Sequence, residues 1–463
     1  MMSKTLFDNF EKVSAKEWKQ KIQFDLKGAD YNEALIHRTL EGIDIRPFYT
    51  NEDLSDTYTV TTTSSWRNAQ KIDVIDAITA NKIALEDIKK GAESIYFRIS
   101  DSSINPEELI AGITEKTILY IETLFLSQEY AQVLENAAGR TKLSIYYIND
   151  PIGKLAATGN WFQNGNEDLQ KTLTICNNNT HLRSCLSIDM ALYQNAGATI
   201  VQQLAYGLAH ANEYLNQFNN STKKYVENYP IVFKIAIGGN YFFEIAKLRA
   251  FRLLWSSLAS EYEILKKSHI LAYPSHRNKT ILDYNVNMLR TTTECMSAIL
   301  GGADTILNNR YDDIYHHDND FGRRIAINQL LILKNESYFD IVHNPAAGSY
   351  YIESITKQLA DKALLLFKNI EQGGGFLEHL KSGTAQKKIK ESAEKEQLLF
   401  DQEQIVLTGT NKYRNKNEIT PDMEKAPFPE KNIHKTLFAP IIKRRLAETM
   451  EKETLTNTNN MNA

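Results

Sequence analysis

The chain has 463 residues, 42% hydrophobic and 24% charged, with 53 Lys+Arg against 57 Asp+Glu for a formal net charge of −4. That composition is ordinary for a globular protein and excludes the strongly basic surface of a nucleic-acid binder and the compositional bias of a disordered chain. Three cysteines, Cys176, Cys185 and Cys295, are odd in number and lack metal-ligand spacing, so buried thiols in a reducing compartment are expected.

Residues 15–26 carry Trp18, Ile22 and Leu26 at helical spacing. After Gly28-Ala29-Asp30, residues 39–49 alternate Ile43 and Ile45 with charges and read as an extended ribbon. This segment, residues 1–65, has too little apolar content for a core of its own and must lie against the parent domain or a partner. It lacks a run of signal-peptide length, and no stretch approaches the roughly 20 apolar residues of a membrane span, so a cytoplasmic protein without membrane contact is expected.

From about residue 66 to 385, β-rich runs alternate with helical stretches. Strands are expected at residues 94–99, 117–122, 142–147, 184–189, 231–237, 269–273, 304–307 and 339–343. Helical crossovers are expected at 197–218, 240–262 and 319–333; in the second, Phe243, Ala246, Ala250, Leu253, Leu254 and Leu258 form one apolar stripe. Eight right-handed βα units predict an α/β fold, a (β/α)8 TIM barrel, with a doubly wound open sheet as the structural alternative. Residues 386–463 are rich in Lys and Glu and hold Pro421, Pro427, Pro429 and Pro440; they read as a linker, a short helix at 440–453 and a disordered tail.

Barrels bind ligands at the C-terminal ends of their strands. Gly238-Gly239-Asn240 leads into a long helix, where backbone amides and the helix N-terminus favour an anion, although a tight βα turn is the better explanation of the pair. Tyr273-Pro274-Ser275-His276-Arg277-Asn278-Lys279 gathers cations and a histidine that suit a phosphate, or a solvated loop. Gly301-Gly302 reads as a helix cap. His316-His317-Asp318 offers metal-ligand types, but adjacent side chains diverge, and no metal site is expected. No P-loop, nucleophile elbow, zinc-protease or dinucleotide motif occurs.

Several segments together resemble the adenosylcobalamin-dependent acyl-CoA mutases, the methylmalonyl-CoA mutase family in particular. They are Asp25-Leu26-Lys27-Gly28-Ala29-Asp30-Tyr31, Thr39-Leu40-Glu41-Gly42-Ile43, Pro47-Phe48-Tyr49-Thr50, the run from Phe242 to Trp255, and Leu289-Arg290-Thr291-Thr292-Thr293-Glu294. Asp320-Phe321-Gly322-Arg323-Arg324-Ile325-Ala326, Glu336-Ser337 and Asn344-Pro345-Ala346-Ala347-Gly348-Ser349-Tyr350-Tyr351-Ile352-Glu353 complete it. The resemblance implies a barrel that shields an adenosyl radical during a carbon-skeleton rearrangement, the cofactor supplying the chemistry.

The departures change what it implies for this chain. The cobalt-ligating Asp-x-His-x-x-Gly motif of the family's cobalamin-binding domain is absent from the sequence. Counting back from Ala196-Gly197-Ala198, the family's Tyr-His pair is replaced by Ala191 and Leu192, which can neither donate a proton nor polarise a carbonyl. Its CoA-contacting arginine is matched by Ala272, and its loop between arm and barrel is unrecognisable in residues 51–66. The resemblance therefore implies the family's small, non-catalytic subunit, without catalytic, cofactor or metal residues. Its partner in a heterodimer would be a large catalytic subunit that binds adenosylcobalamin. Trp18, Ile43, Ile45, Phe48 and Tyr49 are the expected partner interface, and Gly238, Gly239, Tyr273, His276 and Arg277 a vestigial ligand pocket. The alternative is a catalytic barrel whose cobalamin domain sits on a separate chain; a third reading keeps affinity for a CoA ester.

Overall fold

The computed structural model describes residues 10–54, 65–217, 220–415, 421–429 and 435–461. Its centre is eight parallel strands: β1 Arg67–Val74, β2 Ser94–Ile99, β3 Ile118–Thr123, β4 Ser144–Ile148, β5 Ser187–Asp189, β6 Val232–Ile237, β7 His269–Pro274 and β8 Thr305–Leu307. Neighbours in sequence pair in parallel, and β8 pairs with β1 through Thr305 opposite Arg67. The seam between β4 and β5 closes through a parallel bridge from Tyr146 to Ser184, with Tyr147 N donating to Ser184 O at 2.8 Å. The sheet is thus a closed (β/α)8 barrel, because each strand is followed by chain that returns on the outside.

The strand at residues 339–343 does not form, and the first strand, Arg67–Val74, is one the sequence pattern missed. Polarity hid it. Asn68 and Gln70 are buried, and their amides are satisfied by Gly91 O, Glu93 N and Arg323 O, partners far away in sequence. Residues 339–343 have strand composition, but the barrel is complete without them; Ile341 is 68% exposed, and Phe339 O accepts from Trp66 Nε1.

The predicted crossovers form as Ile200–Gln217, Tyr241–Glu261 and Asp320–Leu331. Helix Tyr350–Gln372 packs across the first two. The predicted linker begins inside a helix, Thr384–Asp401, whose Ala385, Ile389 and Phe400 are buried. The terminal helix is Glu448–Met461 rather than 440–453, so most of the expected tail is helical. Residues 437–446 instead form a strap over the loops that follow β4, β5 and β7: Leu437, Ile441, Arg444 and Leu446 donate their amides to Gly159, Ala156, Asn195 and Arg277. Buried Arg445 grips Glu451 with both nitrogens at 2.5 Å and anchors the terminal helix.

The arm begins with helix Ala15–Asp25, started by a Ser14–Glu17 capping box. Its second half lies on this chain's own barrel. The Glu41 carboxylate accepts from Ile200 N and Val201 N at 2.7 and 2.9 Å, capping helix Ile200–Gln217. Ile43 is 1% exposed in the core, and Ile45 packs against that core, so these two are consumed internally and Ile43 leaves the expected partner interface. Phe48 and Tyr49 are half-buried, and Tyr49 sits 5.1 Å from Tyr351. Trp18 remains 50% exposed, and Phe24, further along the same helix, is exposed as well.

Candidate functional site

The barrel axis is the place to look for a site, and it is filled. Tyr96, Tyr120 and Tyr146, from β2, β3 and β4, stack at centroid distances of 6.2 and 5.1 Å, and Tyr146 stacks on His269 of β7 at 4.4 Å. The Tyr120 hydroxyl lies 2.8 Å from His269 Nε2 and 2.7 Å from Thr305 Oγ1. Ala69, Ile148, Val232, Leu271 and Leu307 pack around the rings. Burial pushes the Tyr120 hydroxyl far up and Tyr146 up to about 12, and holds His269 down to about 4 against the pull of Asp304. His269 is therefore a neutral structural group, and the Tyr120 hydroxyl joins it to Thr305 on the neighbouring strand.

Towards the C-terminal mouth lies a layer of charges that neutralise each other. Lys234 Nζ is 2.6 Å from Glu122 and 3.4 Å from Asp189; Arg98 reaches Glu122 and Asp73, each at 3.5 Å; Lys71 reaches Asp73 at 3.4 Å. Burial opposes the ionisation of Glu122, but Lys234 and Arg98 outweigh it and hold the carboxyl at about 2. Lys234 is held far above its usual range by Asp189 and Glu122, again against burial. Lys71, Arg98 and Lys234, the cations the strands supply to this layer, already have carboxylates, while Lys443 of the strap reaches the same layer with its ammonium lowered by burial against the pull of Asp189.

The expected pocket residues divide. Tyr273 joins this interior layer, its hydroxyl pushed up by burial. His276 lies beside it, its Nε2 3.1 Å from Asp313 and its amide donating to Asn195 Oδ1; burial lowers its imidazole against the opposing effect of Asp313. Arg277 is not available to a ligand: its guanidinium donates to Glu396 at 2.5 Å and to Arg444 O at 2.9 Å, clamping helix Thr384–Asp401 and the strap. Gly238 is a packing requirement, since a Cβ there would stand 2.6 Å from Gln194 Nε2 and 3.1 Å from Glu244 Oε1. Glu244, in the first turn of the helix, itself takes the place an anion would occupy, bonded to Gln194 and paired with Lys247. Gly239 is exposed, with Asn278 at ordinary contact distance.

Ala191 and Leu192 open a one-turn helix, Ala191–Asn195, after β5, and both are fully buried. Leu192 and Ala272 belong to the apolar layer between strands and helices, so the axis is closed by the tyrosines and not by Leu192. Next to them, and missed in the sequence, is a buried polar chain. The Tyr193 hydroxyl meets His210 Nδ1 at 2.8 Å, and His210 Nε2 meets Asp150 at 2.9 Å, which also accepts from Tyr214. Tyr193 packs against Tyr206, His210 and Phe376, on the helical side of the barrel wall. Partners 17 to 60 residues apart leave no local signal.

A cavity of about 1400 Å³ opens at the opposite, N-terminal mouth, among Arg67, Arg183, Arg252, Lys266 and Lys267, with Tyr146 and His269 among its walls. Size does not make it the reactive end, because barrel chemistry sits at the C-terminal ends of strands. Among the described residues no cluster of His, Cys, Asp and Glu could hold a metal ion, and no helix is long and apolar enough to cross a membrane. His316 turns to Asp312, while His317 bonds Glu424 through its backbone.

Fold and site together define a (β/α)8 barrel whose axis is closed by its own side chains. The chain belongs to the methylmalonyl-CoA mutase family, whose model matches residues 117–461. It is 34% identical over 450 residues to the methylmalonyl-CoA mutase small subunit of Porphyromonas gingivalis, covering 90% of this chain and 72% of that one. The small subunit of Streptomyces virginiae is 27% identical over 441 residues, covering 87% and 70%. The methylmalonyl-CoA mutase of Escherichia coli is 27% identical over 469 residues, and the chain spans 65% of its length.

Proposed function

We propose that this chain is the non-catalytic subunit of an adenosylcobalamin-dependent methylmalonyl-CoA mutase, in which a heterodimer interconverts methylmalonyl-CoA and succinyl-CoA. The carrying observation is the filled axis: Tyr96, Tyr120, Tyr146 and His269 occupy the space a substrate would need. Ala191 and Leu192 offer no group to polarise a thioester, and losing one such donor costs about 10²–10³ in rate. The residues at the C-terminal mouth do not fit a cobalamin. The cobalt-ligating motif of the family's cobalamin-binding domain is absent from this sequence, and the strap lies over the loops at that mouth. On this reading the cofactor and the chemistry belong to a large catalytic subunit.

Trp18 and Phe24, exposed on the first helix, together with half-buried Phe48 and Tyr49, are the arm surface we assign to that partner. Co-expression with a large mutase subunit should yield a complex, and deletion of residues 1–26, which spares Glu41 and Ile43 on this chain's own barrel, should weaken it. Purified by itself with adenosylcobalamin and methylmalonyl-CoA, the chain should form no succinyl-CoA, and it should still form none when a separate cobalamin-domain protein is added. Turnover in either tube would overturn the proposal. Calorimetric titration with methylmalonyl-CoA should give no heat of binding.

A further inference from the structure

Cys176 and Cys185 lie with their sulfurs 3.7 Å apart, both fully buried, where the barrel seam closes. Cys176 is the penultimate residue of helix Gly165–Asn177, where a helix frays most readily. Cys185 follows the Tyr146–Ser184 bridge and precedes β5, outside the regular ladder, its amide donating to the Tyr225 hydroxyl at 2.7 Å. A disulfide needs the sulfurs to close to about 2.05 Å, and both cysteines sit on backbone that can yield that distance. Neither belongs to the site described above.

The loop between them, residues 178–183, takes most of its outside hydrogen bonds from one carboxylate, beside Arg183 N bonded to Ile145 O and the Tyr229 hydroxyl bonded to Thr180 O. Buried Glu135 of helix Gln128–Thr141 accepts from Thr180 N, Thr180 Oγ1, His181 N and Leu182 N at 2.6–3.1 Å. A cleft lined by Gln128, Glu135, Asn179 and Leu182 borders this loop. Opening the loop off Glu135 is the shortest route for a small reagent to the thiols.

We propose that Cys176 and Cys185 are an oxidisable dithiol that forms an intramolecular disulfide with a small-molecule disulfide as oxidant, gated by the Glu135 latch. One cysteine thiolate attacks a sulfur of the oxidant, forming a mixed disulfide and expelling one small thiolate. The second cysteine, as thiolate, attacks the protein sulfur of that mixed disulfide and expels the other. The pair loses two electrons, the oxidant gains two, and the two cysteine protons end on the two small thiols. The bond would tie helix Gly165–Asn177 to the seam.

The test incubates the full chain with oxidised glutathione, alkylates the remaining thiols, and reads intact mass and peptide maps. The expected product is lighter by two hydrogens, joins Cys176 to Cys185, leaves Cys295 alkylated, and reverts with dithiothreitol. Cys295→Ser should behave as the parent, while Cys176→Ser and Cys185→Ser should not form the bond. Glu135→Gln should oxidise at least about tenfold faster, the factor expected from losing a charge-assisted hydrogen bond that holds the loop shut. Thiols that stay alkylatable at both positions in parent and Glu135→Gln alike overturn the proposal, as does a product that keeps glutathione on either cysteine.

Discussion

His269 should make the barrel plug acid-sensitive. Its imidazole is held down to about 4 from the ordinary 6.5, chiefly by burial, and its Nε2 bonds the Tyr120 hydroxyl at 2.8 Å. Because the folded value lies below the unfolded one, the unfolded chain binds the proton first. Stability present above pH 6.5 is therefore lost as the pH falls towards 4, and no further loss comes from this group below that. The span from 6.5 to about 4 corresponds to roughly 3 kcal/mol. Urea unfolding of the parent chain and of His269→Gln, repeated from pH 7.5 to 4, isolates the effect, since other titrating groups cancel in the difference. The variant should be less stable at neutral pH by about 1–3 kcal/mol, because Tyr120 loses a partner inside the barrel. It should then converge on the parent, or cross it, as the pH drops. Two unfolding curves that stay parallel from pH 6.5 to 4 would refute the assignment of a neutral, buried imidazole.

Other consequences follow from named contacts. Glu451→Ala strands buried Arg445 and the amide of Ile281, a loss of about 3–5 kcal/mol limited by local unfolding of the strap and terminal helix; hydrogen exchange should show residues 437–461 deprotected while the strands keep their protection. Glu41, raised to about 7 by burial, releases its proton earlier when unfolded, so docking of the arm should weaken as pH rises from 4.5 to 7. Exchange of the amides of residues 39–45 should follow that slope in the parent and be flat in Glu41→Gln. The double variant Ala191→Tyr, Leu192→His should remain without isomerase activity in a coupled assay with a cobalamin-domain protein, because the axis stays filled. It should also lose about 2–4 kcal/mol in urea unfolding from placing a polar ring in the apolar layer around Leu192.

The chain's alternation of β-rich runs and amphipathic helices was enough to specify repeated βα units, because each unit carries its own periodicity. A barrel rather than an open sheet was decided by the β8–β1 pairing and the Tyr146–Ser184 bridge. Helix Tyr241–Glu261 follows from its apolar stripe, and helix Ala15–Asp25 from the spacing of Trp18, Ile22 and Leu26. Local pattern failed where tertiary partners supply what a segment lacks. Arg67–Val74 is a strand because Asn68 and Gln70 find buried partners on other elements, and the end of helix Thr384–Asp401 is held by Phe400 and by Glu396 meeting Arg277, 119 residues away.

The same division holds for the site. That Ala191, Leu192 and Ala272 carry no polar group was legible, since this needs no fold to be seen. What fills the axis was not. Tyr96, Tyr120, Tyr146 and His269 look in sequence like ordinary aromatic residues of four separate strands. Only closure of the sheet turns their alternate side chains onto one axis, where stacking and the Tyr120–His269–Thr305 contacts fill it. Whether a charge is free for a ligand is likewise a matter of neighbours: Arg277 and Lys234 are cations in the sequence, and ion-pair partners in the fold.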